Sequence, residues 1–303
     1  MPGALAVNAT RMTRWPAPAK LNLFLHVLGR RPDGYHDLQT LFQFVAFGDE
    51  VFIERTEDGE IQLTKGAAGV PAGADLIERA ARCLQAQTGV RAGARLGVNK
   101  RIPQGAGLGG GSSDAATVLV ALNYLWGTGL TPEALAELGL TLGADVPVFV
   151  RGHAAWAEGV GERLVSVEIP EPCYLIVWPE CAVSTARVFE DPELTRNSPR
   201  MKMADFLAGK GRNDCAPVVR RRYPEVARML DWLETHAPAR LTGTGGAAFA
   251  AFDHAEAADA VLGQLPAGCA GVVARGCNQS PLHRVLAAAI AGNPGSVFGC
   301  LGA

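Results

Sequence analysis

An excess of charge is what this 303-residue chain most plainly lacks: 28 Lys and Arg stand against 30 Asp and Glu, a formal net charge of -2. That balance gives no electrostatic reason to expect a nucleic acid or an anionic membrane surface as partner. No apolar run reaches the roughly 18 residues needed to cross a bilayer. The seven cysteines (Cys83, Cys173, Cys181, Cys215, Cys269, Cys277 and Cys300) include no CxxC pair, and their number is odd. This excludes the usual zinc-site spacing and a simple disulfide framework, and leaves scattered small buried residues as the reading. No repeat of fixed period is present. The first stretch, Met1 to Trp15, carries Arg11 and Arg14 after its apolar residues, the reverse of a secretory signal. It reads as a frayed extension with a second candidate start at Met12, and the cytoplasm is the expected location.

What is present is a globular composition, 48% apolar and 19% charged. The length suits one large domain or two ordinary ones. Ala19 to Leu28 predicts a strand in which Ala19, Leu21, Leu23, Leu25 and Val27 form an apolar face. Lys20, Asn22 and His26 share the other. Arg31-Pro32-Asp33-Gly34 predicts a turn, with Asp33 as a turn residue. Gln39 to Phe47 and Asp49 to Arg55 read as two further strands, and Asp58-Gly59 as a hairpin turn. Helices are expected over Leu76 to Gln87, Ser113 to Trp126 and Tyr223 to Leu233, and from the start signal Thr131-Pro132-Glu133. In the second of these, Val118, Leu119, Leu122, Leu125 and Trp126 form the expected buried stripe. Short strands are expected at Leu96 to Arg101 and Tyr174 to Trp178. Glu168 to Pro172 reads as a connector, placing a soft domain boundary near residue 165. The mixture predicts an α+β protein with no doubly wound parallel sheet.

The strongest chemical signal runs from Pro103 through Gln104, Gly105, Ala106, Gly107, Leu108, Gly109, Gly110 and Gly111 to Ser112, Ser113 and Asp114. Five of the seven residues from Gly105 to Gly111 are glycine, and the run opens onto a helix. Such a loop can turn backbone N–H groups inward beside a helix N-terminus, a site suited to phosphates. Ser112 and Ser113 could cap the helix, hold a phosphate oxygen or join a metal ion's shell. A plain glycine linker is the alternative, but a linker need not open onto a patterned helix. The loop lacks the Gly-Lys-Ser/Thr of a P-loop. Gly105, Gly107 and Gly110 match GxGxxG, but the acidic residue of a dinucleotide site is missing where a second strand should end. The lysine-bearing strand and HRD segment of a protein kinase are missing as well.

The remaining pattern, Pro-x-Gly-Ala-Gly-Leu-Gly-Gly-Gly-Ser-Ser, resembles the second motif of the GHMP kinases. Ala17 to Leu23 is similar to their first motif and Leu241 to Phe249 to their third, in the same order. Pro18 to Leu23 with Arg31 to His36, Gly143 to Phe149 and Asn278 to Arg284 resemble the diphosphocytidyl-methylerythritol kinases within that superfamily. The likeness covers roughly Trp15 to Leu286. One departure is Gly245-Gly246-Ala247, where a slightly larger residue is expected at Gly246 or Ala247.

The resemblance implies a two-domain GHMP kinase fold. Residues 1–165 would form an ATP-binding domain like ribosomal protein S5 domain 2, and residues 166–303 a domain completing the cleft. It implies transfer of the γ-phosphoryl of ATP to the 2-hydroxyl of 4-diphosphocytidyl-2-C-methyl-D-erythritol, a step towards isoprenoid precursors. ATP and Mg2+ would be the cofactors, with the protein ligand of the metal unassigned. Pro103 to Ser113 would hold the nucleotide.

Asp145 would accept the hydroxyl proton, the alternative being a helix cap before Val146-Pro147. Lys20 would hold Asp145 ionised, the alternative being a solvated lysine on a half-exposed strand. Tyr35 and Phe189 would sandwich the cytosine with His36 beside them, the alternatives being turn and core aromatics. Asn22 and Thr185 are further substrate candidates. His153, His236, His254 and His283 read as surface or core residues, and Arg220-Arg221-Arg222 as a solvated face. The rival readings are another GHMP small-molecule kinase, which would not need aromatics for a base, and a nucleic-acid-binding module, which would need a basic stripe.

Overall fold

The computed structural model describes residues 11–71 and 73–292. Residues 1–10 of the expected extension, Cys300 and most of the unmatched tail lie outside the described residues. The chain opens on two long strands, β1 (Thr13–Arg30) and β2 (His36–Thr56), joined by the turn at Arg31 to Gly34. In that turn Gly34 N–H donates to the Arg31 carbonyl (3.1 Å), and Asp33 accepts from the Tyr35 N–H (3.0 Å). β1 begins well before Ala19: Trp15 is fully buried, so Thr13 to Trp15 belong to the fold and not to a frayed extension. The two strands expected on either side of Gly48 are one. The antiparallel ladder to β1 runs through Pro18 opposite Gly48, with register shifts taking up the twist.

Next come β3 (Ile61–Lys65), α1 (Leu76–Thr88), β4 (Gly93–Asn99), α2 (Gly110–Trp126), α3 (Pro132–Leu140) and α4 (Val146–Arg151). Asp58 does organise a local turn, accepting from the Glu60 N–H (3.0 Å). It does not close a hairpin, because β4 inserts between β2 and β3, antiparallel to the first and parallel to the second. Local turn chemistry cannot foretell a strand that arrives later in the chain. α2 starts three residues earlier than its periodicity indicates, and every residue from Ser113 to Leu122 is buried. An amphipathic stripe would face one neighbour. This helix is central, in contact with α1, α4, β1 and β2.

The second half holds β5 (Ala155–Gly159), β6 (Arg163–Ser166), β7 (Cys173–Pro179), α5 (Thr185–Glu190), α6 (Met203–Leu207), α7 (Ala216–Arg222), α8 (Pro224–Glu234), β8 (Ala239–Leu241), β9 (Ala248–Phe252), α9 (Ala255–Leu262), β10 (Cys269–Cys277) and α10 (Pro281–Ile290). All ten strands of the described residues join one sheet, running β3-β4-β2-β10-β7-β9-β8, with β1 and β5–β6 also hydrogen-bonded from β2. Residue 165 therefore falls inside β6. Gly276 and Cys277 of β10 pair with Val45 and Phe44 of β2 and stitch the two halves together. One buried cluster lies under α1 to α4, a second under α7 to α9, and a third at the join, where Leu21, Phe24, Leu41, Leu108, Ile176 and Phe249 meet.

Arg220, Arg221 and Arg222 are not simply solvated. Arg220 reaches Asp231 and Glu234, while Arg221 and Arg222 both bind Asp191. Among the described residues the cysteines are unpaired, and no helix is long and apolar enough to cross a membrane.

Candidate active site

The third cluster supports a cavity of about 470 Å³. Its walls include Lys20 and Asn22 of β1, the loop from Pro103 to Ser112, Asp145 before α4, Thr185 and Phe189 of α5, and Gly243-Thr244. β1 carries Lys20 and Asn22 into this space, while His26 of the same face turns instead to the Pro199 carbonyl (3.3 Å). That is why Lys20 and Asn22 are as buried as the apolar face expected opposite them.

Two glycine-rich segments lie backbone against backbone. A Cβ on Gly107 would stand 2.2 Å from the Thr242 carbonyl oxygen, and one on Gly246 would stand 2.5 Å from the Gly105 carbonyl. Both glycines have φ in the left-handed region, +77° and +90°. No residue larger than glycine fits at Gly246, which answers the departure noted there. Ala247 N–H donates to the Ala106 carbonyl (2.9 Å), and Lys20 N–H to the Leu108 carbonyl (3.0 Å). The glycines thus serve the approach of one loop to the other as well as leaving the mouth of α2 bare. Ser112 lines the cavity. Ser113 does not: its hydroxyl is buried beneath the loop and donates to the Pro18 carbonyl (2.7 Å).

Lys20 Nζ lies 3.3 Å from Asp145 Oδ2, with the lysine side chain 3% exposed and the aspartate 34%. The ammonium also donates to Asn22 Oδ1 and to the Gly107 carbonyl (3.1 Å). Asn22 is held in turn, its Nδ2 donating to Thr40 Oγ1 (2.9 Å) and its backbone N–H to Thr242 Oγ1 (2.9 Å). Asp145 occupies the residue before α4 but makes no side-chain capping bond, so its carboxylate is free to face the cavity. Thr185 and Thr244 share a hydrogen bond of 2.7 Å between hydroxyls across the opening.

Tyr35 and Phe189 do not form a sandwich with His36 at its side. Tyr35 is 63% exposed on the turn, while the His36 ring itself stacks on Phe189 at 5.0 Å and 23°. Arg196 builds this pair: its Nε donates to His36 Nε2 (3.1 Å) and its Nη2 to the Phe189 carbonyl (2.7 Å). Burial and the Arg196 and Arg30 charges push the His36 pKa below its ordinary value. The ring is therefore neutral, with Nε2 accepting and Nδ1 carrying the proton.

Arg196 sits in an irregular stretch with no periodicity to single it out. Local sequence gives no role to Lys100, Asp49 or Asp114: Lys100 lies at the end of one expected strand, Asp49 opens another, and Asp114 closes the glycine-rich motif inside a helix, positions at which charged residues usually mean nothing. Lys100 Nζ bonds Asp49 and Asp114 Oδ2 (2.6 Å to the latter) and lines the same cavity. Among the described residues no group of three or more His, Cys, Asp or Glu is placed to hold a metal ion.

A glycine-loop cleft in which a buried lysine meets a half-exposed aspartate, set on this α+β sheet, defines a small-molecule kinase of the GHMP type. The GHMP kinases N terminal domain matches residues 75–153, and the GHMP kinases C terminal domain residues 197–271. A 4-diphosphocytidyl-2-C-methyl-D-erythritol kinase of Pseudomonas paraeruginosa is 57% identical over 271 residues, covering 89% of this chain and 96% of that protein. One of Shewanella loihica is 53% identical over 277 residues, covering 91% and 98%. The crystal structure of a 4-(cytidine 5'-diphospho)-2C-methyl-D-erythritol kinase superposes with a TM-score of 0.76 at 33% identity, over 87% of this chain and 98% of that one. The chain belongs to the 4-diphosphocytidyl-2-C-methyl-D-erythritol kinase family of the GHMP kinases.

Proposed function

We propose that this enzyme transfers the γ-phosphoryl of ATP to the 2-hydroxyl of 4-diphosphocytidyl-2-C-methyl-D-erythritol, within isoprenoid precursor synthesis in the cytoplasm. The observation that carries the reading is the Lys20–Asp145 pair, 3.3 Å apart in one cavity with the glycine loop. Phosphoryl transfer asks the protein mainly for positioning and charge stabilisation. The loop from Pro103 to Ser112 at the mouth of α2 holds the phosphates through the N–H groups that follow Pro103 and through the helix dipole. Asp145 accepts the proton of the attacking hydroxyl. The Lys20 ammonium, 3.3 Å from that carboxylate, orients it and stands beside the oxygen on which charge develops.

Asn22 and Thr185 position the acceptor. The His36–Phe189 stack, with Tyr35 above the turn, provides the surface for the cytosine. Residues 1–165 act as the ATP-binding unit and residues 166–303 close the cleft; the two family spans fall on either side of that division. Asp145 is the one carboxylate lining the cavity among the described residues, so a magnesium ion would be held chiefly by the nucleotide's own phosphate oxygens. There it would neutralise charge on the transferred group.

The test is a panel of alcohols incubated with ATP while ADP is followed. The cytidylyl acceptor should be consumed far faster than mevalonate, homoserine or galactose. Equal use of one of those would overturn the assignment in favour of another GHMP kinase. A salt-sensitive affinity for RNA would revive the nucleic-acid reading.

A further inference from the structure

Behind the glycine loop lies a charge cluster that the transfer chemistry does not use. Lys100, between β4 and the loop, extends its ammonium against the first turn of α2: a Cβ on Gly110 would stand 3.3 Å from Lys100 Nζ. Two carboxylates hold it there. Asp114 Oδ2 accepts from it at 2.6 Å, and Asp49 of β2 accepts through Oδ2. Asp49 Oδ1 meanwhile accepts the backbone N–H groups of Arg101 and Ile102 (2.7 Å for the latter), the residues that lead into the loop. The second oxygen of Asp114, Oδ1, is buried and has no hydrogen-bond partner. Both aspartates are nearly inaccessible, while Lys100 lines the cavity.

Among the described residues, no charged group besides Lys100 and Asp49 acts on Asp114. β1 presents the Pro16 and Pro18 carbonyls, which are taken by Thr117 and Ser113. α1 sets Leu76 against Gly111 at the start of α2, and its capping Asp75 is occupied by the Ala67 and Ile77 N–H groups.

With both aspartates ionised the cluster is net negative, directly beneath a cradle built for phosphate. A single proton on Asp114 removes that excess. We propose that Asp114 is a positioning residue for the nucleotide: with Asp49 it aims Lys100 at the mouth of α2, and it takes up a proton as the nucleotide's phosphates arrive. The proposal rests on the ATP-dependent reading of the cleft. In the free protein, burial and the Asp49 charge raise the Asp114 carboxyl to about 7, against the opposing pull of Lys100. Added phosphate charge raises it further, because a like charge nearby disfavours the ionised form. Between pH 7 and 8 binding therefore draws a proton from solvent, and affinity weakens as pH rises, by at most about tenfold per pH unit for one proton.

The experiment is isothermal titration of ATP with magnesium into the full chain at pH 6 and pH 8, in buffers of different ionisation enthalpy. The wild type should take up up to about one proton per ATP at pH 8 and much less at pH 6. Asp114→Asn keeps the shape and cannot titrate. It should lose that uptake and show a flatter affinity profile, since the nucleotide's own titration is common to both proteins and cancels in the difference. Thermal melting confirms that the variant is folded, and the wild-type measurement stands without it. Binding with no proton uptake at pH 8, or uptake unchanged in Asp114→Asn, overturns the inference and leaves the kinase reading intact. No ATP binding at either pH overturns both.

Discussion

The ring of Phe189 lies on the ring of His36 at a centroid distance of 5.0 Å, and one guanidinium, that of Arg196, holds both residues. The stack leaves no gap for a pyrimidine between the two rings. On the proposed reading of the acceptor site, a cytosine would lie on an outer face of the stack, with Tyr35, 63% exposed on the turn, closing over it.

Phe189→Ala should weaken the cytidylyl acceptor by about 1–3 kcal/mol, the usual worth of one stacked base. Arg196→Ala should act in the same direction without touching the acceptor, by releasing both rings. Methylerythritol phosphate lacking the base should be poorer than the cytidylyl acceptor by at least about tenfold in kcat/KM, since 1.4 kcal/mol is one decade. Steady-state kinetics with both acceptors checks this. A loss of ATP affinity in place of acceptor affinity would remove the base from this shelf.

Asp145→Asn keeps size and shape while removing the proton acceptor. Turnover should fall by about 10²–10⁴, the range for losing a general base. Melting temperature should change little, because the side chain is a third exposed and caps nothing. Near wild-type turnover would sink the base assignment.

Gly107→Ala forces a Cβ to within 2.2 Å of the Thr242 carbonyl at a φ of +77°. The left-handed backbone alone costs about 1–2 kcal/mol, and separating the two loops adds to it. Gly29→Ala, with nothing within 4 Å, is the matched control and should stay within about 0.5 kcal/mol. Denaturant titration of both reads the difference. Gly109→Val, by contrast, cannot report on phosphate approach alone. Its Cβ would meet the Phe149 ring at 2.8 Å and Lys20 Cε at 3.1 Å, so stability should fall together with ATP binding.

His36 predicts a pH effect of definite sign. Its folded pKa lies below the ordinary histidine value, so the unfolded chain binds the proton first as pH falls. Its contribution is fully present above about 6.5 and is lost as pH drops through that value towards the folded pKa. Protonation also removes the acceptor that Arg196 uses. Melting temperature should decline from pH 7 to pH 5, and His36→Gln should flatten that decline. A decline of equal steepness in the variant would assign the effect elsewhere, for example to half-buried His283, whose pKa is also lowered by burial.

Much of this protein was already determined by local sequence. Glycine between Gly105 and Gly111 and the apolar run from Ala115 to Trp126 specify a loop opening onto a buried helix, because backbone freedom and helix periodicity are properties of neighbouring residues. The Thr131-Pro132-Glu133 start and the polar residues alternating along β1 are legible for the same reason. Lys20, Asn22, Asp145, Thr185 and Phe189 could be nominated singly, and the tertiary structure decided that they line one cavity. It also decided what local chemistry cannot contain. β2 continues through Gly48 because β1 pairs with it throughout, and β3 finds β4 and not β2. Ser113 turns beneath the loop to Pro18, Gly246 is shaped by Gly105, and Arg196 reaches His36. Asp49, Lys100 and Asp114 come from a strand, a strand end and a helix, and only the closing of the sheet on α2 sets them together. Burial there strengthens the attraction and repulsion among their charges, an interaction that water would screen in the open chain.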